Sequence, residues 1–552
     1  MKKNIILILF LATSFSFWGC KDSLEEEVFG AIGELDNAAK IEDATIGIYQ
    51  ALDQSQTATW QTSALFPMAE AGHQYSSFGS NSETKGNLAF YKYLLSPAET
   101  SELNTTWANF YRTINRANVV IDAAQKTLKD STVANPLIAE AKFMRAWSYF
   151  VLVQFWGDVP LIIKPTLSFV GDKDNLFKAR TPIKEVYAQI VEDLKYGSDL
   201  QSNGRYRLPN TRSTTDKGRV TAATAIGMLG KVYLTMAGKP LNNPASYQDA
   251  IRTFKVLVDN RAVFGVNLLS GVGAYASIFS QQNEMNAEVL FALRSWANTS
   301  IITSGTDFSQ FVSAIFSGID SNIGGSGTPA YGLRWDILRL FERNDVRTKE
   351  GIGGNFQMSS PDGFVTLNGL QARDSVVYDT LRRQYFRKSN RVTALTTNSG
   401  YGLGFVKHRA DIARMNTSVR GFQNDYIILR YADVLLSYAE ALNEVGRPSE
   451  AIPFLNLVRQ RAGASSIDVA TSQVALREIL RQERKRELIG EFTTIFDIRR
   501  WGTLKEEMEG YRLDQLFSNL STVPIFNTKF YLYPIPFAQI ATNPSLVQNP
   551  GW

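Results

Sequence analysis

Apolar positions recur at helical spacing through most of this 552-residue chain. Ile41, Ala44, Ile48 and Leu52 share one face of a helix expected over 38–52. Trp107, Tyr111, Ile114, Ala117, Val120 and Ile121 do the same over 104–128. Pro136 is expected to open a helix carrying Ala139, Phe143, Ala146, Tyr149 and Phe150 and stopping near Gly157, because proline costs little in a first turn. The pattern predicts further helices over 182–200, 221–237, 246–259, 335–344, 426–445, 450–461 and 472–491. Trp107 and Trp147 lie on apolar helical faces and are read as core.

Two of these helices form a recognisable pair. Ala439, Leu442, Gly446, Ala451 and Leu455 stand at the offsets a tetratricopeptide unit gives its small, large and turn residues. Gly446-Arg447-Pro448-Ser449 combines a helix stop with a helix start. A looser copy runs through Gly230, Tyr233, Ala250 and Phe254, with an insertion at 240–246. Small residues let paired helices approach, and each pair buries its apolar face only against a neighbour. Two stretches break the rhythm. Residues 53–100 and 262–425 are rich in Gly, Ser, Asn and Thr but keep their aromatic rings, and Val289–Leu293 within the second reads as a strand. Long insertions of this kind are usually functional, and the rings argue against disorder.

The amino end changes the setting. Lys2 and Lys3 precede a 14-residue uncharged run, Ile5 to Trp18, which is too short to span a bilayer comfortably (about 20 residues) and reads as a secretory signal over 1–19. Gly19-Cys20 resembles the end of a bacterial lipoprotein signal, in which the cysteine is acylated. Residues 20–30 then read as an acidic, flexible tether, similar to a surface-export signal of Bacteroidetes-type lipoproteins. Cys20 is the one cysteine, so no intramolecular disulfide is possible. Net charge is +5, or +3 without Lys2 and Lys3, too weak and dispersed to suggest nucleic acid.

Catalytic constellations are missing from the sequence. The two histidines, His73 and His408, stand in unrelated contexts, and no metal, triad or phosphate-loop motif occurs. Gly271-Val272-Gly273-Ala274-Tyr275-Ala276 matches a dinucleotide pattern without the strand and acidic partner it needs, and is read as coincidence. Glu483 and Glu487, at helical spacing among Arg484, Lys485 and Arg486, are read as structural ion pairs. No catalytic residue, metal ligand or cofactor is assigned.

Four ordered segments carry a family resemblance. They are Ala139–Ala146 running on to Phe155-Trp156-Gly157-Asp158-Val159-Pro160-Leu161; Leu429–Leu436 with Ala439–Asn443; Glu483–Leu488 with Asp497–Gly502; and Tyr533-Pro534-Ile535-Pro536 with Gln548–Trp552. Together, behind a lipoprotein signal, they resemble the SusD/RagB family of outer-membrane nutrient-binding lipoproteins. Between Glu491 and Asp497 the family commonly carries Gly, His, Arg and an aromatic, where this chain has Phe492, Thr493, Thr494 and Ile495, so the ion pair of that arginine is not expected here.

The resemblance implies a mainly α fold in which tetratricopeptide-like helix pairs form a scaffold, while long irregular insertions and a few short strands form the ligand face. One domain is expected over 31–552, with scaffold mainly at 31–52, 101–261 and 426–552 and insertions at 53–100 and 262–425. The implied function is non-catalytic capture of an oligosaccharide or polysaccharide, less commonly a peptide, at the cell surface. The implied partner is a SusC-like TonB-dependent transporter in the outer membrane, to which Cys20 tethers the chain by its lipid. A surface glycoside hydrolase and a purely protein-binding helical scaffold are the alternatives. Rings stack on the apolar faces of sugars while amides pair with hydroxyls. On that criterion the candidate binding residues are Tyr75, Phe78 and Asn81 in the first insertion and Trp296, Asn298 and Tyr331 in the second.

Overall fold

The computed structural model describes residues 34–51, 101–168, 171–294, 335–353, 425–512 and 525–552, with isolated stretches between 65 and 98 and between 332 and 407. Helices α1 (Ala38–Gln50), α2 (Ser101–Thr127), α3 (Ser131–Trp156), α4 (Ile183–Ser198), α5 (Ala222–Ala237) and α6 (Ser246–Asp259) lead the chain. A short helix α7 (Ala274–Ile278) and strand β1 (Val289–Leu293) follow. Four strands, β2 (Phe356–Ser359), β3 (Phe364–Leu367), β4 (Ser375–Asp379) and β5 (Gln384–Arg387), make an antiparallel meander. Then come β6 (Tyr426–Arg430), α8 (Tyr431–Glu444), α9 (Pro448–Arg461), α10 (Gln473–Leu488), α11 (Thr494–Trp501) and α12 (Leu504–Arg512). Among the described residues no helix is long and apolar enough to cross a membrane.

The helices pack serially, α2 on α3, α3 on α4, α4 on α5, α5 on α6, then α6 on α8, with α9 and α10 both against α8. This is the mainly α, helix-pair architecture expected. Ala439, Leu442, Ala451 and Leu455 of the α8–α9 pair are all buried. In the looser pair, Gly230 faces Phe254 so closely that a Cβ would sit 2.4 Å from the ring. The small residue is what lets α5 and α6 meet.

Local signals account for the ends. Asp130 caps α3 by accepting from Thr132 N at 2.8 Å, so the helix starts five residues before Pro136 and carries that proline inside. The expectation that Pro136 opens the helix is corrected: the Asp-Ser-Thr cap outranks it, and a proline this near the start loses a single backbone bond. At the other end Gly157 turns at φ +73°, with Leu532 packed where a side chain would stand. Around it the recognisable segments converge. Tyr533 N donates to Phe155 O at 2.8 Å, Trp156 Nε1 donates to Pro534 O at 3.0 Å, and Asn549 Nδ2 bridges the carbonyls of Trp156 and Tyr533.

Two elements differ from the periodicity. Trp335–Leu340 is a 3-10 turn rather than a helix over 335–344. The helix expected over 426–445 is split, because Tyr426–Arg430 pairs antiparallel with β1 and only Tyr431–Glu444 is helical. A buried Ile427-Ile428-Leu429 run satisfies either periodicity, and the partner strand 133 residues earlier decides (Tyr426 opposite Leu293).

Candidate functional site

The structure ties the two insertions to each other and to the scaffold. Ser76–Ser77 in the first pairs antiparallel with Gly332–Leu333 in the second, Ser76 opposite Leu333 and Ser77 opposite Gly332. Tyr75 and Tyr331, which adjoin these pairs in sequence, lie outside the described residues, as do Phe78, Asn81, Trp296, Asn298 and Cys20. Trp296 and Asn298 come directly after β1, whose root is firmly held. Arg294 meets Asp425 at 2.8 Å, Glu284 at 3.2 Å and the carbonyl of Lys217 at 3.1 Å. Arg294 and Asp425, the described residues on either side of 295–424, are thus held together by an ion pair.

A buried ionic cluster ties Glu288, Arg347 and Lys407 of the second insertion to the scaffold. Arg347, from mid-insertion, reaches Asp345 at 2.7 Å, Glu483 at 2.6 Å and Glu487 at 2.8 Å. Arg430, at the end of β6, reaches Glu487 at 2.6 Å, Glu288 at 2.9 Å and Glu491 at 2.5 Å. Lys407 donates to Glu491 and to the carbonyls of Glu487 and Ile489 at 2.8 and 3.0 Å. Arg459 and Arg461 complete the set on Glu483, Glu288 and Glu487. Burial opposes ionisation of these carboxylates, but Arg347, Arg486 and Arg459 hold Glu483 down at about 2. Glu487 is likewise held low by Arg461 and Arg430 against burial. Burial lowers the Lys407 ammonium, a shift that Glu491 opposes. Glu483 and Glu487 are structural ion pairs, as expected, committed to cations rather than facing a substrate.

The Thr493-Thr494 departure also finds its reason. Glu70, from the first insertion, is buried and accepts from Gly490 N at 3.0 Å, Thr493 N at 2.9 Å and Thr494 N, and from the Thr494 hydroxyl. Burial pushes this carboxyl up to about 7, since the hydrogen bonds, all from neutral donors, offset only part of the lost hydration. A cleft of about 840 Å³, within the usual range for small-molecule sites, lies between α6, α7, α8 and α9. Its walls include Leu268, Phe454 and Leu457 with Arg261, Gln460 and Arg461. Gly271–Tyr275 of the Gly271–Ala276 pattern line it, and residues 262–273, which lead into the segment, contain no strand. Sequence reasoning had not singled the cleft out, because its residues come from four distant elements. Among the described residues no group of three or more His, Cys, Asp or Glu is placed to hold a metal ion.

Comparison with known proteins places this arrangement. A family model described as the SusD family matches residues 298–552, and one described as "Starch-binding associating with outer membrane" matches 21–234. "SusD-like protein P2" of Formosa agariphila is 28% identical over 464 residues, covering 81% of this chain and 80% of that protein. A solved "Laminarin binding SusD-like protein" superposes with TM-score 0.68 at 21% identity, over 94% of this chain and 100% of the other. "Surface glycan-binding protein A" from Bacteroides fluxus gives TM-score 0.70 at 19% identity, over 94% and 100%. Between them the two family models take in both halves of the helical scaffold and all four sequence segments, and the chain belongs to the SusD/RagB family.

Proposed function

We propose that this protein is a non-catalytic binding lipoprotein of the outer membrane that captures an oligosaccharide or polysaccharide at the cell surface and passes it to a SusC-like TonB-dependent transporter. Cys20 carries the lipid anchor in this reading, and residues 20–30 are the tether. Family membership and the glycan-binding descriptions of structural neighbours support it. The observation that carries it is the ladder between Ser76–Ser77 and Gly332–Leu333. It joins the two insertions that hold every candidate sugar-contacting residue: Tyr75, Phe78, Asn81, Trp296, Asn298 and Tyr331. Stacking rings and amides contributed from both insertions make one composite ligand face on a rigid helical base.

Calorimetric titration against a panel of polysaccharides and peptides tests the reading. Saturable binding without turnover of the ligand is the expected result. Hydrolysis of a bound glycan would favour the glycoside hydrolase, and copurification of a large β-barrel with no small-ligand affinity would favour the protein-binding scaffold. Trp296→Ala is expected to weaken glycan binding about tenfold or more while leaving Tm within a few degrees, because a ring in a polar loop contributes contact area rather than core. A large Tm loss with unchanged affinity would place Trp296 in the core instead.

A further inference from the structure

Away from the insertions, residues of α5, α6, α8, α10 and α11 and the turn after α5 line a polar pocket of about 190 Å³. Its charges do not cancel. Arg500 spans both oxygens of Glu440 at 2.5 and 2.7 Å, and Trp501 Nε1 donates to the same carboxylate at 2.8 Å. Arg500 also reaches Asp497 at 2.9 Å, but Arg484 meets that carboxylate at 2.7 Å. Arg477 spans Glu444 at 2.6 and 2.7 Å. Each carboxylate lining the pocket therefore has its own arginine. Two lining cations remain, Lys239 and Arg481, and neither charged group has a carboxylate or hydrogen-bond partner among the described residues. Arg481 lies over the Trp501 ring at 5.4 Å, and its Nε is buried with nothing to donate to. Lys239 holds its ammonium against Gly502, where a Cβ would come within 2.7 Å of it. Two lining cations without a carboxylate leave the pocket net positive, and an anion seated among them is what would balance that charge.

We propose that this pocket binds one tetrahedral oxyanion, sulfate or phosphate, either as the free ion or as the ester group of a small molecule. The volume is below the roughly 300 Å³ where drug-sized sites begin, so it takes an ion-sized group and not a sugar ring. Lys239 and Arg481 come from separate elements. A tetrahedral anion offers oxygens in several directions to such donors, whereas a carboxylate offers two in one plane. The guanidinium supplies a fork and the ammonium a point charge, the usual division of work at phosphate-type groups.

The test is calorimetric titration of sodium sulfate and sodium phosphate into the purified protein, with ionic strength held constant by sodium chloride. One saturable site is expected, weakened about tenfold by Arg481→Gln and by Lys239→Gln and largely restored in Arg481→Lys. Thermal melts check that each variant is folded; Lys239 is exposed, so its variant carries the test if Arg481→Gln does not fold. No saturable heat, or affinity unchanged in both glutamine variants, would overturn the proposal. Glucose 6-sulfate and glucose 6-phosphate identify the source. Tighter binding of an ester than of its inorganic ion marks a group on a larger ligand, and the reverse order marks the free ion.

Discussion

Two buried regions of the scaffold are built on opposite principles. Around the end of α3, rings interlock: Trp107 meets Trp156 at 5.1 Å, Trp147 meets Phe291 at 5.2 Å and Phe155 meets Phe496 at 5.0 Å, the first two edge to face. Around α10, equally buried side chains are ionic, with Arg347, Arg430, Glu483 and Glu487 at 1% exposure or less. Burial of ring surface is non-directional and scales with area, with a smaller preference of ring pairs for edge-to-face contact. Ion pairs in a dry interior carry a desolvation cost that only complete pairing offsets. The aromatic region therefore tolerates adjustment, while the ionic one is sensitive to the loss of any single member. It is also the ionic region that grips residues 262–425, through Glu288, Arg347 and Lys407, so the placement of that stretch rests on charge pairing.

Glu487→Ala should break this contrast most sharply. It would leave Arg347, Arg430 and Arg461 short of a shared carboxylate, at a cost of about 3–5 kcal/mol in denaturant unfolding. A loss below about 1 kcal/mol would mean that water replaces the carboxylate and that the cluster is not dry.

Glu70 sharpens the comparison, because its partners are neutral donors whereas those of Glu483 are cations. Its folded pKa of about 7 is above the ordinary 4.5, so the stability tied to its proton is fully present below about 4.5 and is lost as pH rises towards 7. The span corresponds to about 3 kcal/mol. Glu483, held at about 2, behaves oppositely: its contribution is present above about 4.5 and lost as pH falls towards 2. Melts of wild type and Glu70→Gln from pH 5 to 8 check the first claim. The variant should lose the downward slope, and parallel curves would refute it.

The smallest effect is expected in the aromatic region. Trp147→Phe keeps an apolar ring between Phe110 and Phe291 and should cost about 1–2 kcal/mol in the same unfolding measurement. A loss matching that of Glu487→Ala would erase the distinction between the two regions.

Much of the aromatic region was legible, because it follows a local rule. Trp107 lies on the apolar stripe of a single helix, which spacing alone reveals, and Trp147 lies in a helix so densely apolar that it is buried on nearly every side. The helix pair at Gly446 was legible for the same reason. Less of the ionic region could be read. The alternation of signs in α10 marked Glu483 and Glu487 as paired, yet Arg347 is 136 and 140 residues away from them and carries no local sign of the meeting. The strand Tyr426–Arg430 was read as helix because its ladder partner is equally remote. Of the candidate site, the sequence marked rings and amides in polar loops. It had no means of showing that Ser76–Ser77 and Gly332–Leu333 join the loops that hold them.

By itself the sequence determined the helical scaffold, its pairing and the family, since periodicity, caps and ordered motifs are properties of contiguous residues. Tertiary structure alone decided which charges meet, where the 840 Å³ cleft and the polar pocket open, and that the two insertions are joined. The physical reason is range. Backbone propensity and amphipathic spacing act over a few residues, whereas a buried charge is stable only beside a partner that folding brings from far along the chain.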